Sequence, residues 1–130
     1  MNAKYPKEEK LKKQKHIDLL FSEGKSVSKY PLRLVYVPLE ENDVPLEFGV
    51  SVSKRYFKKA VDRNYFKRVL RETYRLNKNM LYENIDKPFA MMFFYQTKDR
   101  LSYAEIDAKT KILFEKFIET IQKKENTESI

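Results

Sequence analysis

The chain has 130 residues, 35% charged and 42% hydrophobic, with 27 Lys and Arg against 19 Asp and Glu and a formal net charge of +8. Without Cys there is no disulfide framework, zinc finger, iron–sulfur site or thiol nucleophile, and one His and two Gly exclude paired-His metal motifs and Gly-rich nucleotide loops. No apolar run approaches the roughly 18–20 residues that cross a bilayer, and the basic start MNAKYPKEEKLKKQKH lacks the apolar stretch of a signal peptide, so a soluble cytoplasmic protein is expected. The length suits one domain over 1–130, its core within about 8–122.

In chain order, residues 7–23 read as a helix, with Ile17, Leu20 and Phe21 on one side, Leu11 roughly in line, and Gly24 as its stop. Residues 30–38 read as a strand, with Leu32, Leu34 and Tyr36 on one face and Arg33, Val35 and Val37 on the other. After the polar loop 40–45 a second strand runs from Glu47 to Ser53. Phe48, Val50 and Val52 belong to a core. Gly49, Ser51 and Ser53 form a small, polar face suited to a ligand. Residues 56–77 read as the longest helix, with Ala60, Val61, Phe66, Val69, Leu70 and Tyr74 as its apolar positions. A third strand, Phe89 to Tyr95, is apolar on both faces and is expected to be covered on both sides. The last helix spans 102–123, opened by Ser102 and Glu105 at capping-box spacing and striped by Leu113, Phe114, Phe117, Ile118 and Ile121. The tail from Glu125 is expected to fray. The order helix, strand, strand, helix, strand, helix predicts an α+β fold: a small mixed sheet packed with three helices.

The charge is concentrated. Lys54 to Lys78 holds ten basic and two acidic residues, a net +8, while the remaining 17 basic and 17 acidic residues cancel. Within it Lys59, Arg63, Lys67, Arg71 and Arg75 recur every four residues, a winding stripe about 24 Å long widened by Asn64 and Arg68. Like charges at this spacing repel, and Asp62 and Glu72 answer only two of the pairs. An external polyanion is implied, and the Arg share favours phosphate. A solvated helix face, an acidic partner and an anionic membrane are the alternatives. The apolar side of the helix is needed for the core, which disfavours a membrane. Phe21, Tyr30 and Tyr36 are rings placed to stack on unpaired bases if they are not core.

Residues Phe48 to Asn77, FGVSVSKRYFKKAVDRNYFKRVLRETYRLN, resemble the signature of the protein subunit of bacterial ribonuclease P. That family shows a strand ending S-(V/T)-(S/A)-K and then a helix with A-V-x-R-N-x-x-K-R-x-x-R-E. The matching positions are Ser51 to Lys54, Ala60-Val61, Arg63-Asn64, Lys67-Arg68 and Arg71-Glu72. The preceding HIDLLFSEGKSVSKYPLRLVY is similar to the family's N-terminal region. Tyr65 departs from the pattern, which usually carries a third basic residue there, and Ile17 stands at a position often aromatic.

The resemblance implies an accessory subunit with no catalytic residues of its own. The RNA subunit would cleave precursor tRNA with magnesium, held mainly by RNA, to leave the mature 5′ end. One protein per RNA and no membrane partner are expected. Lys54, Arg55, Lys59, Arg63, Asn64, Lys67, Arg68, Arg71 and Arg75 would contact the catalytic RNA. Phe21, Tyr36, Ser51 and Ser53 would line a cleft for the single-stranded 5′ leader. The place of Tyr36 depends on strand register, since a slip brings Val35 or Arg33 to the cleft instead. Asn64 has a competing reading as a local side chain–backbone bond. The family fold also carries an uncommon left-handed strand–helix–strand crossover. Two other functions stand against this one: a self-sufficient nuclease using His16 with Asp18 or Glu23, and a DNA-binding or ribosomal module.

Overall fold

The computed structural model describes residues 7–128. A single 3-10 turn, Lys7–Glu9, leads to helix α1, Gln14–Glu23. The expected first helix is therefore shorter than its apolar spacing suggests. Lys10 leaves helical geometry to bridge Phe48, and the Leu11 N–H donates to the Phe48 carbonyl at 3.2 Å. Gly24 ends α1, its N–H donating to Leu20 O at 3.0 Å. A Cβ at this position would lie 2.2 Å from that oxygen, so close approach of the backbone is what requires glycine.

Strands β1 (Lys25–Lys29), β2 (Leu32–Pro38), β3 (Leu46–Val52) and β4 (Phe89–Tyr95) form one sheet in the order β1-β2-β4-β3. β1 pairs with β2 and β2 with β4 antiparallel, whereas β3 and β4 are parallel. Helix α2, Ala60–Tyr82, makes the crossover between the parallel strands, and α3, Tyr103–Glu128, closes the chain. β1 adds a fourth strand to the three expected. Its sequence, Lys-Ser-Val-Ser-Lys, has one apolar residue and offers no alternation to detect, as suits an edge strand guarded by lysines. α3 continues helically through Glu128, beyond the expected fraying point, and residues 129–130 lie outside the described residues.

Register assigns the two faces. Leu32, Leu34 and Tyr36 on β2, Phe48 and Val52 on β3, and Phe89, Met91, Phe93 and Tyr95 on β4 face α2 and α3 and are buried. Phe48 stacks on Tyr74 with centroids 3.7 Å apart, and Phe66 stacks on both Phe57 and Tyr95. The expected α3 stripe is in this core, with Leu113, Phe114, Phe117 and Ile118 buried and Ile121 half-buried. Ser102 caps α3 as expected: its Oγ accepts the Glu105 N–H at 3.2 Å and donates to Glu105 Oε1 at 3.1 Å.

The opposite face carries Arg33, Val35 and Val37, Ala90, Met92 and Phe94, and Glu47, Gly49 and Ser51. α1 covers part of it, packing Leu20 with Val37, Leu39 and Ala90. Met92 and Phe94 remain half-buried, so β4 is covered fully on one side only.

Candidate nucleic-acid interface

Two surfaces meet at β3 and the start of α2. The first is the outward side of α2. Its inward side is anchored by Phe66, Val69, Leu70, Thr73 and Tyr74, which forces the intervening Lys and Arg outward. Arg68 and Arg71 are exposed and Lys67 is half-exposed. No side chain among the described residues bonds these three, and the same is true of Lys54 and Lys59 in the approach to the helix. Asn64 is exposed and its amide makes no bond among the described residues, so the local backbone bond weighed for it does not form.

The stripe is less uniform than its spacing suggests. Arg63 donates from Nη1 to Phe57 O at 3.0 Å and to Lys58 O at 2.7 Å, bracing the turn that leads into α2. Arg75 donates from Nε to Glu72 Oε2 at 3.0 Å, and this hydrogen bond holds the Glu72 carboxyl below its ordinary range. Lys78, part of the charge excess, is buried: its Nζ lies 3.0 Å from Glu9 Oε2, and the Tyr74 hydroxyl donates to Glu9 Oε1 at 2.7 Å. Arg55 lies with Cζ 5.7 Å from the Tyr56 ring centre.

The second surface is the half-covered sheet face. A cleft of about 140 Å³ lies between α1 and the sheet, with Phe21 and Gly24 on one wall and Arg33, Val35, Met92 and Phe94 on the other. Phe21 is 76% exposed, which leaves its ring free to act at the cleft. A wider hollow of about 540 Å³ shares Met92 and extends over Gly49 between Lys10, Lys12 and Arg71. Gly49 is closely covered there: a Cβ would come within 3.3 Å of Leu11 and 3.2 Å of Met92 Sδ, so these side chains would have to give by a few tenths of an ångström. Arg71 thus joins the helix stripe to the sheet face.

The four cleft candidates separate. Phe21 and Ser51 belong to this face, Ser51 pairing across to Phe94. Ser53 follows β3 and is spent on the turn, its Oγ accepting the Arg55 N–H at 3.1 Å and its carbonyl accepting from Tyr56 and Phe57. Tyr36 is a correction. It is 5% exposed on the helix-covered face, packed edge-on to Phe89 and Phe117, and burial raises its phenol above the usual value. Its sharing a face with Leu32 and Leu34 was the available signal. Tyr30 is exposed at the β1–β2 turn, next to a cis bond to Pro31, and donates to Thr97 Oγ1 at 3.2 Å. Arg33 and Val35 line the cleft, the alternative to Tyr36 that strand register left open. Sequence reasoning did not select Phe94, Met92, Lys10 or Lys12. The pairing of β2 with β4 places the first two, and the bridge to β3 places the lysines, neither of which is local in sequence.

His16 does not meet Asp18 or Glu23. It is buried, with Nδ1 2.7 Å from Glu47 Oε1, and ties α1 to β3; Asp18 accepts instead from Gln14 at 2.8 Å. The pairs weighed for a self-sufficient nuclease, His16 with Asp18 or Glu23, do not form; the carboxylate at this buried histidine is that of Glu47.

Residues 5–118 match the family model described as Ribonuclease P. The ribonuclease P protein component of Porphyromonas gingivalis W83 is 40% identical over 98 residues, 73% of this chain and 72% of that protein. That of Dictyoglomus turgidum is 40% identical over 82 residues, 63% of this chain and 66% of that protein. Among solved structures, the RNase P protein from Thermotoga maritima superposes with a TM-score of 0.64 at 26% identity, covering 82% of this chain and 96% of that one. The Staphylococcus aureus RNase P protein gives 0.67 at 21% identity over 82% and 93%, a likeness of fold. The chain belongs to the ribonuclease P protein family.

Proposed function

We propose that this protein binds the catalytic RNA of ribonuclease P through the outward side of α2 and holds the 5′ leader of precursor tRNA on the half-covered sheet face. It thereby assists removal of the leader by an RNA that carries the catalysis. The observation that carries the reading is the adjacency of the two surfaces. Cations without protein partners line one side of a helix whose other side is core, and Arg71 lines the hollow over Gly49, which shares Met92 with the cleft beneath Phe21.

Each surface matches a chemistry. Folded RNA presents closely spaced phosphates, and neutralising them releases counterions, so affinity falls steeply with salt. An extended single strand presents unpaired bases, for which the rings of Phe21 and Phe94 are stacking platforms and Arg33 a phosphate partner. Lys54, Arg55, Lys59, Asn64, Lys67, Arg68 and Arg71 are the direct contacts to the catalytic RNA. Arg63 contributes charge while bracing the turn, and Arg75 acts under the restraint of Glu72. Magnesium belongs to the working complex. In this proposal its ligands are mainly RNA oxygens. The complex works in the cytoplasm with one protein per RNA.

The test is reconstitution of cleavage with a long-leader precursor tRNA at physiological magnesium. Cleavage requires the RNA subunit, and adding the protein raises it. Cleavage by protein alone, abolished in His16→Ala, overturns the reading in favour of a protein nuclease. Equal affinity for duplex DNA with no effect on RNA-catalysed cleavage overturns it in favour of a general nucleic-acid module.

A further inference from the structure

One cation outside the charge-rich segment joins the same end of α2. Arg100 stands in the loop between β4 and α3, and its Nη1 lies 3.1 Å from Asp62 Oδ1 in the first turn of α2. Its Cζ is 5.3 Å from the ring centre of Phe66, 5.9 Å from Phe57 and 6.0 Å from Tyr65. Arg63 braces the carbonyl of Phe57, so Arg63 and Arg100 both contact this residue, one at its backbone and one at its ring.

The loop that carries Arg100 is built to hold it. The Tyr95 hydroxyl, rooted in the core, donates to Asp99 O and accepts the Leu101 N–H at 3.0 Å. Thr97 Oγ1 accepts the Asp99 N–H at 3.1 Å. The backbone is thus fixed on both sides of residue 100, and the side chain is fixed by one carboxylate and an aromatic bed. An ion pair between groups this exposed, 55% and 30%, contributes little to stability. Guanidinium has five N–H donors, and Asp62 takes one. The remaining donors have no hydrogen-bond partner among the described residues, and the residue is exposed.

We propose that Arg100 is a phosphate-binding residue of the RNA interface, presented from the β4–α3 loop, with Tyr65 and Asp62 as the positioning residues that set its plane. The proposal rests on the reading of α2 as an RNA-binding surface and adds a second element to it. Tyr65, 42% exposed, supplies a ring under the guanidinium rather than a charge of its own.

The experiment measures binding of the in vitro transcribed ribonuclease P RNA of the source genome across a salt series, with thermal melts of each protein. In Arg100→Gln the slope of log affinity against log salt becomes shallower by about 0.9, and affinity falls several-fold. Arg100→Lys restores the slope, since the charge returns. Tyr65→Ala lowers affinity with the slope unchanged, because the charge remains but is no longer oriented. Lys67→Ala is the control for the parent reading. If Lys67→Ala flattens the slope and Arg100→Gln does not, Arg100 is only a strap between loop and helix and the proposal is overturned. If neither changes it, the reading of α2 falls as well. Unchanged affinity in Tyr65→Ala removes the positioning role. A lowered melting temperature in Arg100→Gln with wild-type slope counts as the strap outcome.

Discussion

The two faces of the sheet are made from similarly apolar strands and meet opposite fates. The face toward α2 and α3 is closed: Phe48, Phe93 and Tyr95 are at most 1% exposed, Phe48 stacks on Tyr74 and meets Phe93 edge-on, and Tyr95 stacks on Phe66, which stacks in turn on Phe57. The other face has one short helix, and Val35, Met92 and Phe94 stay half-open beneath an exposed Phe21. Apolar surface left uncovered beside a basic helix is of use to a ligand rather than to the fold. The contrast predicts that substitutions on one face act on stability and on the other face on binding.

The largest effect is expected on the closed face. Phe48→Ala removes a ring with no exposed area and leaves its stack on Tyr74 unmade, at a cost of about 3–5 kcal/mol. Denaturant melts measure it directly. A loss below about 1 kcal/mol would mean that the closed face is no more tightly built than the open one, and the contrast would dissolve.

On the open face, Phe21→Ala should leave stability within about 0.5 kcal/mol. Base stacking on one ring is worth roughly 1–3 kcal/mol, so affinity for precursor tRNA should fall relative to mature tRNA. Discrimination between the two tRNAs that survives the substitution breaks the assignment of this face to the leader.

The same two faces show what could be read from the chain. The alternation of Phe48, Val50 and Val52 against Gly49 and Ser51 placed β3 correctly, because a two-residue period is a local property. Tyr36 does share a strand face with Leu32 and Leu34, but that face is the core and not the cleft, as a face shared with two leucines implies. β4 looked covered on both sides, and the extent of α1, which decides that, depends on where the N-terminal segment pairs with β3. β1 has almost no apolar content to detect. The charge segment was legible in position but not in detail. Nothing local tells that Lys78 turns inward to Glu9 across 69 residues, or that Arg63 bends back to carbonyls of its own turn.

α2 repeats the contrast within one element, since its inward side is core and its outward side is charge. Lys67 is half-exposed and has no bonding partner among the described residues, so Lys67→Ala should leave the melting temperature near its original value. The salt slope of binding to the catalytic RNA should become shallower by about 0.9. A stability loss with an unchanged slope would place Lys67 on the structural side of the helix.

The smallest effect separates charge that is free from charge that is tied. Glu72 pairs with Arg75, and Glu72→Gln removes that ion pair and one negative charge from the stripe, so RNA affinity should rise modestly and the salt slope steepen. Acidification should not imitate the substitution. The Arg75 hydrogen bond lowers the Glu72 pKa, so the pairing is lost only as pH falls through that lowered value. Between about pH 8 and pH 5 the carboxylate stays charged, given an ordinary value near 4.3. The affinity ratio of the variant to the parent should be flat across that range. A ratio that drifts toward one as pH falls to 5 would mean that Glu72 is already taking up a proton there. The stripe would then have one more mobile charge than the structure gives it.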